Sequence, residues 1–177
     1  MALDLLMRRF RNVDHADQKR LASQFYWLRD VARQEPELAA NVLSVSVFDH
    51  WLSEREALEL LSDVSVAEQS ARNKAHASFC SLVAEYTKVL SFARRGLKAN
   101  RIVFREFTSN TALESYFTPS VISQSVQGRF WFVLPEWNCV YCEGYDDTNH
   151  FFYPREGSPP PVESLVEKSD LFLLQQV

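Results

Sequence analysis

Apolar and polar residues follow two different periods along this chain, and the change falls near residue 99. Before it the spacing is helical. Between Asp14 and Gln34, Leu21, Phe25, Leu28, Val31 and Ala32 recur mostly three or four apart, a stripe along one face of a helix that Asp14 is suited to cap. Pro36 suits the first turn of a second helix through Glu37, Leu38, Ala39, Val42 and Leu43, although the run from Val42 to Phe48 also alternates as a short strand would. Ser53 and Glu56 form a capping box that opens a brief helix ending near Ser62. Ser65 and Glu68 form another, and beyond it Ala75, Phe79, Leu82, Val83, Tyr86, Val89, Leu90 and Ala93 hold helical period. Arg94 and Arg95 then complement the helix dipole and Gly96 supplies a left-handed stop.

After Ala99 the period becomes that of strands. Ile102 to Phe107 and Arg129 to Leu134 are rich in β-branched and aromatic residues. Cys139 to Glu143 and His150 to Tyr153 bracket the polar segment from Gly144 to Asn149, which predicts a hairpin. A proline-rich connector at 157–161 precedes a helical turn or two from Val162 to Lys168 and a closing strand at Leu171 to Leu174. Both faces of Phe130 to Leu134 are apolar, which places that strand centrally against the long helix. The expectation is one α+β domain spanning 1–177, with a mainly helical half (1–98) packed on a mainly antiparallel β half (99–177).

Charge sharpens this division. Residues 1–98 carry 14 Lys and Arg against 13 Asp and Glu, whereas residues 99–177 carry 5 against 10 and hold 14 of the 23 aromatic side chains. An acidic, aromatic half is a poor match for a phosphate backbone and suits a basic protein partner, so no nucleic acid is expected. The arginine clusters Arg8, Arg9, Arg11 and Arg94, Arg95, Lys98, Arg101 lack interleaved aromatics. No run approaches the length of a membrane span, and the opening apolar stretch is too short for a signal-peptide core. Three cysteines fit no disulfide framework, so a reduced cytoplasmic setting is expected.

Catalytic patterns are sparse. Four isolated glycines offer no phosphate loop, and no serine stands in a nucleophile elbow. Cys139-Val140-Tyr141-Cys142 spells C-x-x-C, and His150 is the nearby imidazole of a possible metal module. In a strand, however, an offset of three sends the two thiols to opposite faces. No cofactor is expected. Asp146, Asp147, Glu143 and His150 gather around one loop, where Asp and Asn serve ordinarily as turn formers.

What stands out is a surface chemistry. Glu136, Trp137, Tyr141, Glu143, Tyr145, Asp146, Asp147 and His150 fall in one short hairpin, and tyrosine and tryptophan beside carboxylates are the makings of a protein-binding site. In this general character the chain resembles the cytoplasmic immunity proteins of bacterial type VI and polymorphic toxin systems. The resemblance implies a non-enzymatic inhibitor that covers a secreted toxin or nuclease-like effector. A small enzyme or ligand-binding domain, with a cleft between the long helix and the sheet, is the alternative.

Overall fold

The computed structural model describes residues 9–31, 40–95, 101–118 and 130–174. Eight antiparallel strands form one sheet: β1 (Phe10–Asn12), β2 (Ala40–Ser46), β3 (Leu90–Arg95), β4 (Arg101–Phe107), β5 (Trp131–Leu134), β6 (Cys139–Cys142), β7 (Thr148–Pro154) and β8 (Phe172–Leu174). Their order across the sheet is β1-β4-β3-β5-β6-β7-β2-β8. Six helices are described: α1 (His15–Gln24), α2 (Leu28–Val31), α3 (Glu54–Leu61), α4 (Val66–Tyr86), α5 (Asn110–Phe117) and α6 (Glu163–Glu167). The edge strands β1 and β8 are three residues each and pair with Arg105–Phe107 of β4 and Ser44–Ser46 of β2.

Strand parity builds two separate cores. On one face Phe132, Leu134, Cys139, Tyr141 and Phe151 pack with Phe79, Cys80 and Val83 of α4, Phe117 of α5 and Leu165 of α6. On the other face Val133, Val140, Cys142, Phe152 and Phe104 pack with Leu21 of α1, Phe25, Trp27 and Leu28 of α2. The molecule is therefore helix, sheet, helix in section, and β5 and β6 are buried on both sides. That explains why their sequences are apolar without alternation. Among the described residues no helix is long and apolar enough to cross a membrane.

The α+β class and the central position of Phe130 to Leu134 hold, but helices do not simply precede strands. The long helix stops at Tyr86, because Thr87 turns to extended backbone and caps it. Leu90 and Ala93, expected on its stripe, lie in β3 instead, where Leu90 meets Val133 and Ala93 meets Val103. Arg94 and Arg95 consequently sit opposite Ile102 and Arg101 in a strand pair, away from any helix end. Val42 and Leu43 belong to β2, which pairs along its whole length with β7 and so ties the first half into the sheet of the second. The first helix also ends early, at Gln24, and the chain turns through Phe25 to Trp27 before α2. Residues 32–39, with Pro36, lie outside the described residues, as does Gly96. Asp14 does cap α1, accepting from Asp17 N–H at 2.8 Å. Ser53 and Glu56 close the capping box at α3. The β1 strand and helix α5, capped by Ser109, were not foreseen from spacing.

Candidate functional site

The hairpin from β6 to β7 is closed by a two-residue turn. Asp146 and Asp147 both adopt left-handed backbone, φ 57° and 53°, and Thr148 N–H donates to the Tyr145 carbonyl at 2.9 Å. Two positive φ values in succession make a type I′ turn, whose twist matches that of paired strands and which aspartate tolerates through its short polar side chain. Gly144 precedes it for a steric reason: a Cβ there would lie 2.2 Å from the Thr148 carbonyl oxygen and 2.6 Å from His150 Nε2.

Helix α4 grips one side of this turn. Arg72, 8% exposed, donates to Asp147 Oδ2 at 2.9 Å, to the Leu60 carbonyl and to Glu68. Gln69 donates to Asp147 Oδ1 at 2.9 Å. One turn further along α4, His76 Nε2 lies 2.9 Å from the Asp147 carbonyl and its Nδ1 3.1 Å from the Asn149 amide nitrogen. The carbonyl can only accept and the amide nitrogen can only donate, so His76 carries its proton on Nε2 and is neutral. Burial pushes its pKa below the usual histidine value, in keeping with that assignment. Asn149 also donates to the buried Tyr141 hydroxyl at 2.9 Å, and Gly144 N–H donates to its Oδ1.

The other side of the turn faces a cleft of about 180 Å³. Tyr145 and Asp146 line it from the turn, His150 from β7, Leu174 from β8, and Phe48 and Trp51 from the segment leading into α3. That segment is braced: His50 Nδ1 bonds Asp49 at 2.6 Å and its Nε2 bonds Glu56 at 3.2 Å. Glu56 also accepts from Ser53 N–H and Oγ, and these donors with His50 hold its carboxyl down at about 2. The two carboxylates raise His50 in turn. His150 is different. Desolvation lowers its pKa, and its Nδ1 meets Ser44 Oγ at 2.9 Å. Ser44 is 1% exposed, so this Ser–His pair closes a hydrogen bond inside the sheet and presents no nucleophile to solvent.

The eight residues expected to share one surface are dispersed. Tyr141 is fully buried, stacked on Phe151 at 4.3 Å, and cannot touch a partner. Asp147 is consumed by Arg72 and Gln69. Trp137 packs against the α4-side core. Glu136 sits in the turn before β6, where it accepts from Thr87 Oγ1 and Lys88 N–H. The four residues of β6, about 14 Å of strand, separate Glu136 and Trp137 from the Gly144 end. Glu143 and His150 are half-buried. Glu136, Tyr145 (62% exposed) and Asp146 are presented outward, but of these only Tyr145 and Asp146 stand together at the turn. The physical cause is strand parity: both faces of the hairpin are covered by helices, so its rings turn into the two cores. Trp51, 45% exposed, takes their place beside Tyr145.

The C-x-x-C thiols part as strand geometry requires, Cys139 toward α4 and Cys142 toward α1, with His150 opposite Cys142 in register. Both thiols and Cys80 are buried, which raises their pKa and keeps them protonated. Among the described residues no group of three His, Cys, Asp or Glu could hold a metal ion. Where α4 crosses the hairpin strands, its interface with the sheet is filled by Phe79 against Tyr141 and Phe151; a second opening of about 380 Å³ lies past the end of α4, lined by Thr87, Lys88, Leu90 and Glu106. Comparison with known proteins finds no matching family model, no matching curated protein and no matching solved structure.

Proposed function

We propose that this chain is a non-enzymatic, protein-binding inhibitor of the immunity type, which docks a basic partner, a secreted toxin or nuclease-like effector, through the rim formed by Trp51, Tyr145 and Asp146. One observation carries the reading. Two exposed rings flank a carboxylate with which no described side chain pairs, and all three stand on braced backbone. Tyrosine and tryptophan supply large contact area with few rotors to freeze. A turn already fixed by Arg72 and His76 loses little further freedom on docking. Asp146, with which no described side chain pairs, would steer a cationic partner and add to the on-rate. The reading places the protein in the cytoplasm, where its three unpaired thiols meet reducing conditions.

The test is co-expression with the product of the adjacent reading frame, followed by association kinetics at low and high salt. A complex whose on-rate falls with salt, and which Tyr145→Ala weakens by about tenfold or more, supports the reading. A complex indifferent to Tyr145→Ala and Trp51→Ala together would refute this surface. Growth that the chain fails to protect against the neighbouring product would refute the inhibitor.

A further inference from the structure

Arg95 and Arg101, both exposed, face each other across β3 and β4, and the register sets Arg105 two pairs further along on the same side of the sheet, beside Ser91. Like charges directly opposite one another destabilise a strand pair. The acid of β4, Glu106, does not relieve them. It projects to the other face, where Arg11 and Lys88 each pair with it at 2.9 Å. Residues 96–100, which join the strands, add Lys98 and no acid, and residues 115–135 hold no Asp or Glu. Arg105 is half-buried over the Phe10 ring at 4.0 Å, where it donates to Ser91 Oγ and the Phe92 carbonyl. Its Nε–H meets no acceptor among the described residues. Burial lowers its pKa; the Tyr116 hydroxyl offsets part of that and the Arg95 charge adds to it. Among the described residues, then, three guanidinium groups share one sheet face with no carboxylate paired to any of them. Sequences depart from local stability in this way where a site is kept for function.

We propose that this face binds an extended acidic segment of a partner protein, with two carboxylates four residues apart on Arg101 and Arg105 and an apolar side chain between them on Val103. Four strand residues separate the two arginines, about 13 Å, which is also the spacing of such carboxylates on one side of an extended peptide. Arg95 doubles the cation at the Arg101 end, and the half-buried Val103 and Ala93 form the apolar step between the charged ends. Guanidinium forks meet carboxylates in bidentate geometry. A single-stranded nucleic acid asks in addition for rings on which to stack its bases, and the residues between these cations are alanine and valine. The strip lies on another hairpin from the rim of Trp51, Tyr145 and Asp146, and acts whether or not that rim docks a toxin.

The capped peptide Glu-Thr-Val-Thr-Glu tests it on the intact chain at low salt, with nuclear magnetic resonance shifts of the Val103 and Ala93 methyl groups as the readout. Its glutamine counterpart is the neutral control, Glu-Glu-Val-Thr-Thr keeps the charge and loses the spacing, and a thymidylate oligomer stands for nucleic acid. The spaced acidic peptide should bind about tenfold more tightly than either control peptide. Arg101→Thr should remove that preference, whereas Arg55→Gln, the same change of charge on α3, should leave it. Because Arg101 opposes Arg95 and threonine suits a strand, Arg101→Thr should leave the melting temperature unchanged or raise it. Equal binding of the three peptides, tighter binding of the oligomer, or no saturable shift with any of them overturns the assignment. So does a preference that survives Arg101→Thr or that Arg55→Gln removes equally. A lower melting temperature in Arg101→Thr would make that arginine a structural group and overturns it as well.

Discussion

Asp146 and Asp147 are neighbours with the same side chain and nearly the same backbone angles, yet they belong to different parts of the molecule. Asp147 points to α4 and is 15% exposed in an ion pair with Arg72. Asp146 points to solvent and the cleft. The type I′ turn makes the division, because successive residues at its tip diverge to opposite sides of the hairpin. One aspartate holds the turn in place so that the other can be displayed by it. Acidity alone therefore says nothing about role here; the partner 75 positions earlier in the chain does.

The contrast breaks most visibly at the inner residue. Asp147→Ala leaves the Arg72 guanidinium, 8% exposed, facing the space of its lost carboxylate, and places a Cβ residue without a polar side chain at φ 53°. Removing one member of a buried pair costs about 3 to 5 kcal/mol. Glu68 and the Leu60 carbonyl still hold Arg72, so the low end, about 3 kcal/mol, is expected from urea denaturation. Asp147→Asn keeps the turn geometry and one acceptor and should lose clearly less. Equal losses in the two variants would mean that strain, and not the ion pair, fixes the turn.

A smaller and graded effect comes from His76. Its folded pKa lies below the ordinary value because burial opposes charging, and His150 is lowered in the same direction. The unfolded chain therefore binds more protons than the folded one once pH drops below about 6.5. Stability contributed by the neutral imidazoles is full above that pH and declines as pH falls, by up to about 1.4 kcal/mol per unit for each histidine, until the folded pKa is passed. His50 runs the other way: its pKa is raised by Asp49 and Glu56, so its small contribution is present at low pH and lost as pH rises. Stability measured between pH 5 and 8 should fall toward acid, and His76→Gln should flatten the slope. An unchanged slope in that variant would detach the helix-side network from the pH response.

How much of this was legible beforehand depends on whether a residue's role is local. The capping box at Ser53, the N-cap at Ser65, the Gly144 to Asn149 turn, the central β5 and the parting of Cys139 from Cys142 follow from short-range rules, and the structure has each of them. The box expected at Ser65 stays half made, because the Glu68 carboxylate turns to Arg72. Strand β3 was misread because Val89, Leu90 and Ala93 fall at helical spacing by coincidence. Thr87, with its β-branched side chain in extended backbone, ends the helix first. His76 was legible in part: with Arg72 and Cys80 it repeats every four residues on the buried stripe, a polar insertion that demands partners. Which partners was not legible, since Asp147 and Asn149 reach it only through the tertiary meeting of α4 with the hairpin. Trp51 was hidden for the same reason. Its neighbourhood with Tyr145 depends on β2 pairing β7 in the register that sets Ser46 against Thr148, and no spacing within either segment announces it.

The slightest expected change in stability is also the most discriminating. Asp146→Asn removes a charge that no described side chain pairs with, at a position whose left-handed backbone asparagine accepts, so unfolding free energy should move by no more than about 0.5 kcal/mol. If Asp146 is the displayed member of the pair, the same substitution should slow association with a cationic partner, with the loss greatest at low ionic strength and fading as salt screens the field. Asp147→Asn should show the converse, a measurable loss of stability with a smaller change in the salt dependence of the on-rate. A thermal melt and an on-rate series on the two single variants thus cross-examine one another. Were Asp146→Asn to destabilise the fold as much as Asp147→Asn does, the outer carboxylate would be a structural group like its neighbour, and the surface around Tyr145 would lose the charge that orients a partner toward it.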